Sequence, residues 1–203
     1  MKKLIVSMWI VFATVWYVNA GNIEWVEAVN FMKNNNLSSI ANSVEQYMPL
    51  STVKREAASK FFDAFAEKKF NRTADTTKLC AFSDVNEANP VFVPYIKKAC
   101  QLGIINGVDG KALPKATLTK LQFITMLARV VKNNSNLTPV EAFNILKADG
   151  ITNEATLANT QKLVSRIEVA ILFKRAVTKY IPTNKNNNEG YDEAINIINE
   201  LMK

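Results

Sequence analysis

Apolar residues recur at intervals of three and four along three stretches of the chain. Val53, Ala57, Phe61 and Phe65 mark the first, Leu118, Phe123, Met126 and Val130 the second, and Val164, Ile167, Ile171 and Ala176 the third. That spacing places each set on one helical face, so the pattern predicts three amphipathic helices of about four turns, each entered through a turn containing Ser or Thr. Upstream of each lies a shorter helical pattern ending at a residue suited to left-handed backbone. Tyr95–Leu102 stops at Gly103, Val140–Leu146 runs to Gly150, and Trp25–Lys33 meets Asn34–Asn36. No stretch has the alternation of an extensive sheet, and Phe82–Val85 reads as a bent entry to a helix with Asp84 capping it. The expected fold class is all-α.

The stretches are also similar to one another. Tyr47–Ala66 and Ala112–Val131 align without gaps, matching Pro49 with Pro114 and, six residues later, Arg55 with Lys120; Leu157–Val177 lacks the proline but places Arg166 at the same point. The unit is a helix, a turn and loop, and a longer helix, used three times over residues 21–70, 78–133 and 136–181. Residues 182–203 form a linker and a final amphipathic helix, Tyr191–Met202.

The first twenty residues belong to none of these units. Met1-Lys2-Lys3 followed by the apolar run Leu4–Val18 and by Val18-Asn19-Ala20 has the layout of a signal peptide cleaved after Ala20, with an uncleaved membrane anchor as the weaker alternative because the run is short for a bilayer span. The chain carries 25 Lys and Arg against 18 Asp and Glu, a net charge of +7 that falls to +5 without Lys2 and Lys3, and no dense basic block of the kind that grips nucleic acid. After cleavage no membrane segment is expected. Export turns the only cysteines, Cys80 and Cys100, into a disulfide candidate, with two buried free thiols as the alternative. The chain has no histidine, which removes serine–histidine triads, cysteine–histidine nucleophiles and histidine-bearing zinc sites. No tuned acid–base pair replaces them, so the reading is a non-enzyme without cofactor or metal.

Arginines number only 5 against 20 lysines, which makes their positions informative. Arg55, Lys120 and Arg166 each put a cation in the first turn of a long helix, where it opposes the helix dipole and gains nothing for helix stability. A helix N-terminus offers unpaired N–H donors, and an added cation makes a compact site for a carboxylate or phosphate. The alternative is that the three are merely solvated or pair with acids such as Glu56 and Glu168.

These residues carry a resemblance. Phe82, Asp84 and Val85, then Tyr95-Ile96, Gly103-Ile104, Asp109-Gly110, Pro114 and Thr119-Lys120-Leu121-Gln122 resemble, in order, the landmarks of an S-layer homology motif. Gly150-Ile151 and Val164-Ser165-Arg166-Ile167-Glu168 match the third unit in part, and Val53-Lys54-Arg55-Glu56-Ala57-Ala58 with Trp25 match the first. The resemblance implies three helical units packed with pseudo-threefold symmetry. It further implies non-covalent attachment to the bacterial cell surface through an anionic, often pyruvylated, cell-wall polysaccharide. Carried over by position, Arg55, Lys120 and Arg166 would contact the polymer, while Trp25 and Asp84 shape the groove or pack. The three sites are not equivalent as they stand: Lys120 lacks the arginine fork, Gln122 replaces the usual acid, and the first and third units lack a clear F-x-D-V. A second reading makes the units an envelope assembly module that binds other surface-layer proteins rather than glycan.

Overall fold

The computed structural model describes residues 23–38 and 46–181. The expected signal segment and the expected C-terminal helix lie outside the described residues. Among those described the architecture is helical, with isolated β-bridges and no strands. The helices are α1 (residues 23–34), α2 (Arg55–Phe70), α3 (Val93–Gln101), α4 (Lys120–Lys132), α5 (Pro139–Ala148) and α6 (Arg166–Tyr180). Short 3₁₀ turns stand at Val85–Glu87, Pro90–Phe92 and Leu157–Gln161.

The three short helices end in the same way. Leu37, Ile104 and Ile151 each donate an N–H to the carbonyl five residues back (Met32, Ala99 and Leu146), over 2.9 Å in all three. The preceding residue, Asn36, Gly103 or Gly150, has a φ of 50°, 72° and 72° respectively. That is the Schellman stop, in which a left-handed residue lets the chain double back on its last carbonyls. Asn36 fills it without being glycine because a short amide side chain tolerates left-handed backbone.

The long helices α2, α4 and α6 start from extended segments that bridge one another pairwise. Thr52 pairs with Ser165, Lys54 with Thr117, and Thr119 with Leu163. The first amide of each helix is consumed there: Arg55 N–H donates to Ala116, Lys120 N–H to Lys162 and Arg166 N–H to Ser51, at 2.8–2.9 Å. Val53, Leu118 and Val164 therefore lie in extended backbone just ahead of their helices rather than in the helical stripe that the periodicity predicts. All three are nonetheless buried, because the bridges turn them into the core. Further in, Phe62 of α2, Phe123 of α4 and Phe173 of α6 meet with ring centroids 4.8, 5.1 and 5.3 Å apart, and Phe65 stacks on Phe173 at 4.1 Å. One apolar cluster thus ties the three long helices together.

Polar groups lock the loops onto this core. Asp84 occupies the N-cap position of the turn Val85–Glu87, but its side chain does not cap it. The carboxylate instead accepts the N–H groups of Ala112 and Leu113 at 2.7 and 2.8 Å, which fixes the entry to α4. Arg72 donates to the carbonyls of Val130 and Leu102 at 3.1 Å, satisfying the C-terminal ends of α4 and α3 together. A disulfide joins Cys80 to Cys100, with the Cα atoms 6.0 Å apart, and so pins the segment before Asp84 to the end of α3. No helix among the described residues is long and apolar enough to cross a membrane.

Candidate functional site

Each of the three cations expected from the sequence lies in a cleft built from the same kinds of parts. Arg55 shares a cleft with Ile104–Val108, which follow Gly103, and with Thr119, Gln122 and Arg129 around α4. Lys120 shares one with Thr152–Glu154, which follow Gly150, and with Glu168, Leu172 and Arg175 of α6. Arg166 shares one with Asn36–Ser38 and with Ala57, Phe61 and Ala64 of α2. Each cation thus faces a loop beyond a Schellman stop and the flank of the next long helix.

The helix ends themselves offer less than the sequence predicts. The first amides are bound by the bridging carbonyls, and the second amides of α2 and α6 donate to Pro114 and Pro49. The third amides of α4 and α6 are held by Thr119 and Ser165 in reciprocal capping boxes with Gln122 and Glu168. Bridging and capping take up two of the first three amides of α2 and of α4 and all three of α6, which leaves side chains as the main groups available for binding in the clefts.

Those side chains fall into two states. Arg55 and Arg166 have buried guanidinium nitrogens without a hydrogen-bond partner, Nε in Arg55 and both Nε and Nη2 in Arg166. Burial, with the neighbouring positive charge of Arg129, pulls Arg55 below the ordinary arginine range against a smaller opposing pull from Asp84. Glu56, the acid expected to neutralise Arg55, is engaged elsewhere: it accepts the Asn89 amide at 3.0 Å and pairs with Lys115 at 3.1 Å. Arg166 stacks over Tyr47, with its guanidinium carbon 4.7 Å from the ring centroid and Phe61 at 6.0 Å. Burial pushes the Tyr47 hydroxyl up to about 12, against the opposing pull of the Arg166 charge, so the ring stays neutral beneath the cation. The Arg55 cleft measures about 350 Å³, and the Arg166 cleft about 340 Å³ beside a second hollow of about 250 Å³.

Lys120 is the opposite case. Its ammonium pairs with Glu168 at 2.7 Å and with Glu154 more closely still. Burial alone would depress it, but the hydrogen bonds it donates to the two carboxylates, with their charges, outweigh burial and hold it above the ordinary lysine range. Glu168 is pushed up by burial and pulled further down by Lys120 and Ser165, so it stays below its usual range. Arg175, also on the cleft wall, pairs with Glu24 at 2.6 Å, and the space in the cleft is about 160 Å³.

Of the other residues singled out in the sequence, Asp84 is buried and acts on the Arg55 cleft indirectly, through the Ala112–Leu113 turn and its charge. Trp25 is half-buried and packs against the core, away from the clefts of the three cations. Sequence reasoning missed Arg129 and Arg175. Each stands nine residues into its helix from the cation and grips the loop beyond the stop, Arg129 through the Ile104 carbonyl at 3.1 Å and Arg175 through that of Ile151 at 3.3 Å. Their identical offset was the available signal. No protein-family model matches the sequence, and no curated protein matches it.

Proposed function

We propose that the chain is a non-catalytic, exported module that holds an anionic cell-wall polysaccharide at the bacterial surface, in the manner implied by its resemblance to S-layer homology motifs. On this reading the three units are copies of one design packed with pseudo-threefold symmetry. The three bridges, the three Schellman stops and the three similarly built clefts support it. Arg55 and Arg166 are the residues that contact a ligand carboxylate, Arg55 in a cleft of mixed polar and apolar walls and Arg166 from an aromatic bed that also suits the apolar face of a sugar ring.

One observation carries the reading: two of the three cations keep buried guanidinium donors unpaired, while the third has drawn in carboxylates. Buried charged donors are ordinarily satisfied, so an unpaired pair of them beside open clefts fits an external acceptor.

The test is retention of the mature protein on purified sacculi with and without their attached polysaccharide, at low and high salt, beside Arg55→Ala and Arg166→Ala. Retention that requires the polysaccharide and weakens in both variants is the expected result. Retention indifferent to the polysaccharide and to both arginines would overturn the glycan reading in favour of assembly with protein partners.

A further inference from the structure

Among the three clefts, the one at Lys120 is set apart by what fills it. Glu168 arrives from α6 as the third residue of the helix, where one oxygen, Oε2, accepts from Ser165 and the other, Oε1, reaches Lys120. Glu154 arrives from the loop, four residues after Gly150. In the Arg55 cleft the same two places hold Gln122 and Gly107. Gln122 closes its capping box through Oε1, which accepts the Thr119 amide at 3.0 Å, and this leaves an amide group that can only donate. Gly107 stands four residues after Gly103, at a φ of 73°, with so little room that a Cβ would lie 2.7 Å from the Phe82 ring and 2.8 Å from the Lys111 carbonyl. No carboxylate-bearing side chain can occupy that position without displacing backbone. One cleft is therefore kept free of internal acids by its construction, and the other is supplied with two.

The geometry points to Glu154 and Glu168 as a built-in occupant of the Lys120 cleft, intramolecular carboxylates that take the place of the ligand anion and close the third site. The inference rests on the anion-binding reading of the other two clefts and deepens it: the chain is a two-site binder, and Glu154 and Glu168 determine which sites those are. The closure is local and reversible in principle. A single ion pair at the protein surface is worth little, but two carboxylates on one partly buried ammonium leave an incoming anion nothing to neutralise.

The decisive variant gives the Lys120 cleft the character of its neighbour, Glu154→Ala with Glu168→Gln. Glutamine keeps the capping box of α6, as Gln122 keeps that of α4. The probe is sodium glucuronate, titrated at constant ionic strength and followed residue by residue through backbone amide NMR shifts. In the unaltered protein the amides around Lys120 should not titrate. In the double variant they should titrate saturably, with apparent affinity at least fivefold higher, and adding Lys120→Ala should abolish the response. Saturable titration at Lys120 in the unaltered protein would overturn the proposal, and so would a folded double variant that stays silent there. Should the double variant lose native spectral dispersion, Glu154→Ala alone, which leaves the helix cap intact, is held to the same two outcomes at a twofold threshold. The amides around Arg55 and Arg166, together with retention on sacculi, report separately on the parent reading. Silence at those two sites would count against that reading, whereas the response at Lys120 alone decides whether the third cleft is closed from within.

Discussion

The Arg55 and Lys120 clefts start from the same materials and reach opposite electrostatic states. Each has a cation at the first position of a long helix, a loop beyond a left-handed stop, and a second cation, an arginine, nine residues along the neighbouring helix. Around Arg55 there is no carboxylate partner: the neighbouring Arg129 donates to the Ile104 and Leu137 carbonyls, and both guanidinium groups keep a buried Nε unpaired. Around Lys120 every cation has a carboxylate. Two residues account for much of the difference, a glycine against Glu154 and a glutamine against Glu168. Backbone architecture sets where a charge is presented, and one or two neighbours decide whether it remains available.

The strongest way to break the comparison is to remove what the clefts share. Phe173 touches Phe62, Phe65 and Phe123 and has no solvent exposure, so Phe173→Ala should cost about 3–5 kcal/mol and lower the melting temperature by roughly 10 °C. The loss should loosen both clefts alike. A variant that melted as the parent does, or that exposed amides in one cleft only by hydrogen exchange, would show that the clefts do not hang on one core.

A second perturbation acts on α2, which carries Arg55 and also walls the Arg166 cleft. Asp63 on this helix is buried with neither carboxylate oxygen hydrogen-bonded. Burial raises it to about 8, with Lys98 lowering it and Glu67 raising it by smaller amounts. Because the folded-state value lies above the unfolded one, its contribution is fully present below the unfolded value near 4 and is lost as pH rises through about 8. Asp63→Asn should therefore match the parent near pH 4 and exceed it at pH 8 by several kcal/mol, at most about 5, as measured by denaturant unfolding. Parallel stability curves for the two proteins would mean that Asp63 is ionised at little cost.

Much of this frame is legible in the chain. Periodicity identifies the long helices, Gly103, Gly150 and the asparagines before Leu37 mark the stops, and alignment picks out Arg55, Lys120 and Arg166. The bridging segments are not legible, because two or three extended residues have no period to read. Val53, Leu118 and Val164 look like helix positions for that reason. Pairing is harder still. Arg55 adjoins Glu56 in sequence, yet successive residues on a helix point in different directions, and Glu56 turns to Lys115. Of the two acids that hold Lys120, Glu168 is among those the sequence offers as partners, whereas Glu154 lies 34 residues away in a loop, where only the fold could bring it. Asp63 did leave a mark, an acid between Phe62 and Phe65 on a helix flanked by apolar neighbours.

The comparison is sharpened by removing the cations one at a time. Losing a charge-assisted hydrogen bond to a ligand carboxylate is worth about 1.5–3 kcal/mol, so Arg55→Ala and Arg166→Ala should each weaken retention on polysaccharide-bearing sacculi roughly 10- to 100-fold. Lys120→Ala should change it less than about twofold, since that charge is already neutralised. Equal losses in all three variants would erase the distinction between the clefts.

The finest test carries the acid from one cleft into the other. Gln122→Glu should preserve the capping box of α4, because Glu141 and Glu168 perform the same role in α5 and α6. Helix stability should stay within about 0.5 kcal/mol of the parent, or gain slightly from an acid in the first turn. The added carboxylate would share the cleft with Arg55, as Glu168 shares one with Lys120. Retention on sacculi should then fall about three- to tenfold, about 1 kcal/mol, with the thermal melt unchanged. The reciprocal Glu168→Gln alone should raise retention by no more than about twofold, because Glu154 still holds Lys120. If Gln122→Glu instead bound as tightly as the parent while melting normally, the residue at this position would not govern access to the arginine, and the contrast between the clefts would have to be assigned to the loop residue, Gly107 or Glu154, alone.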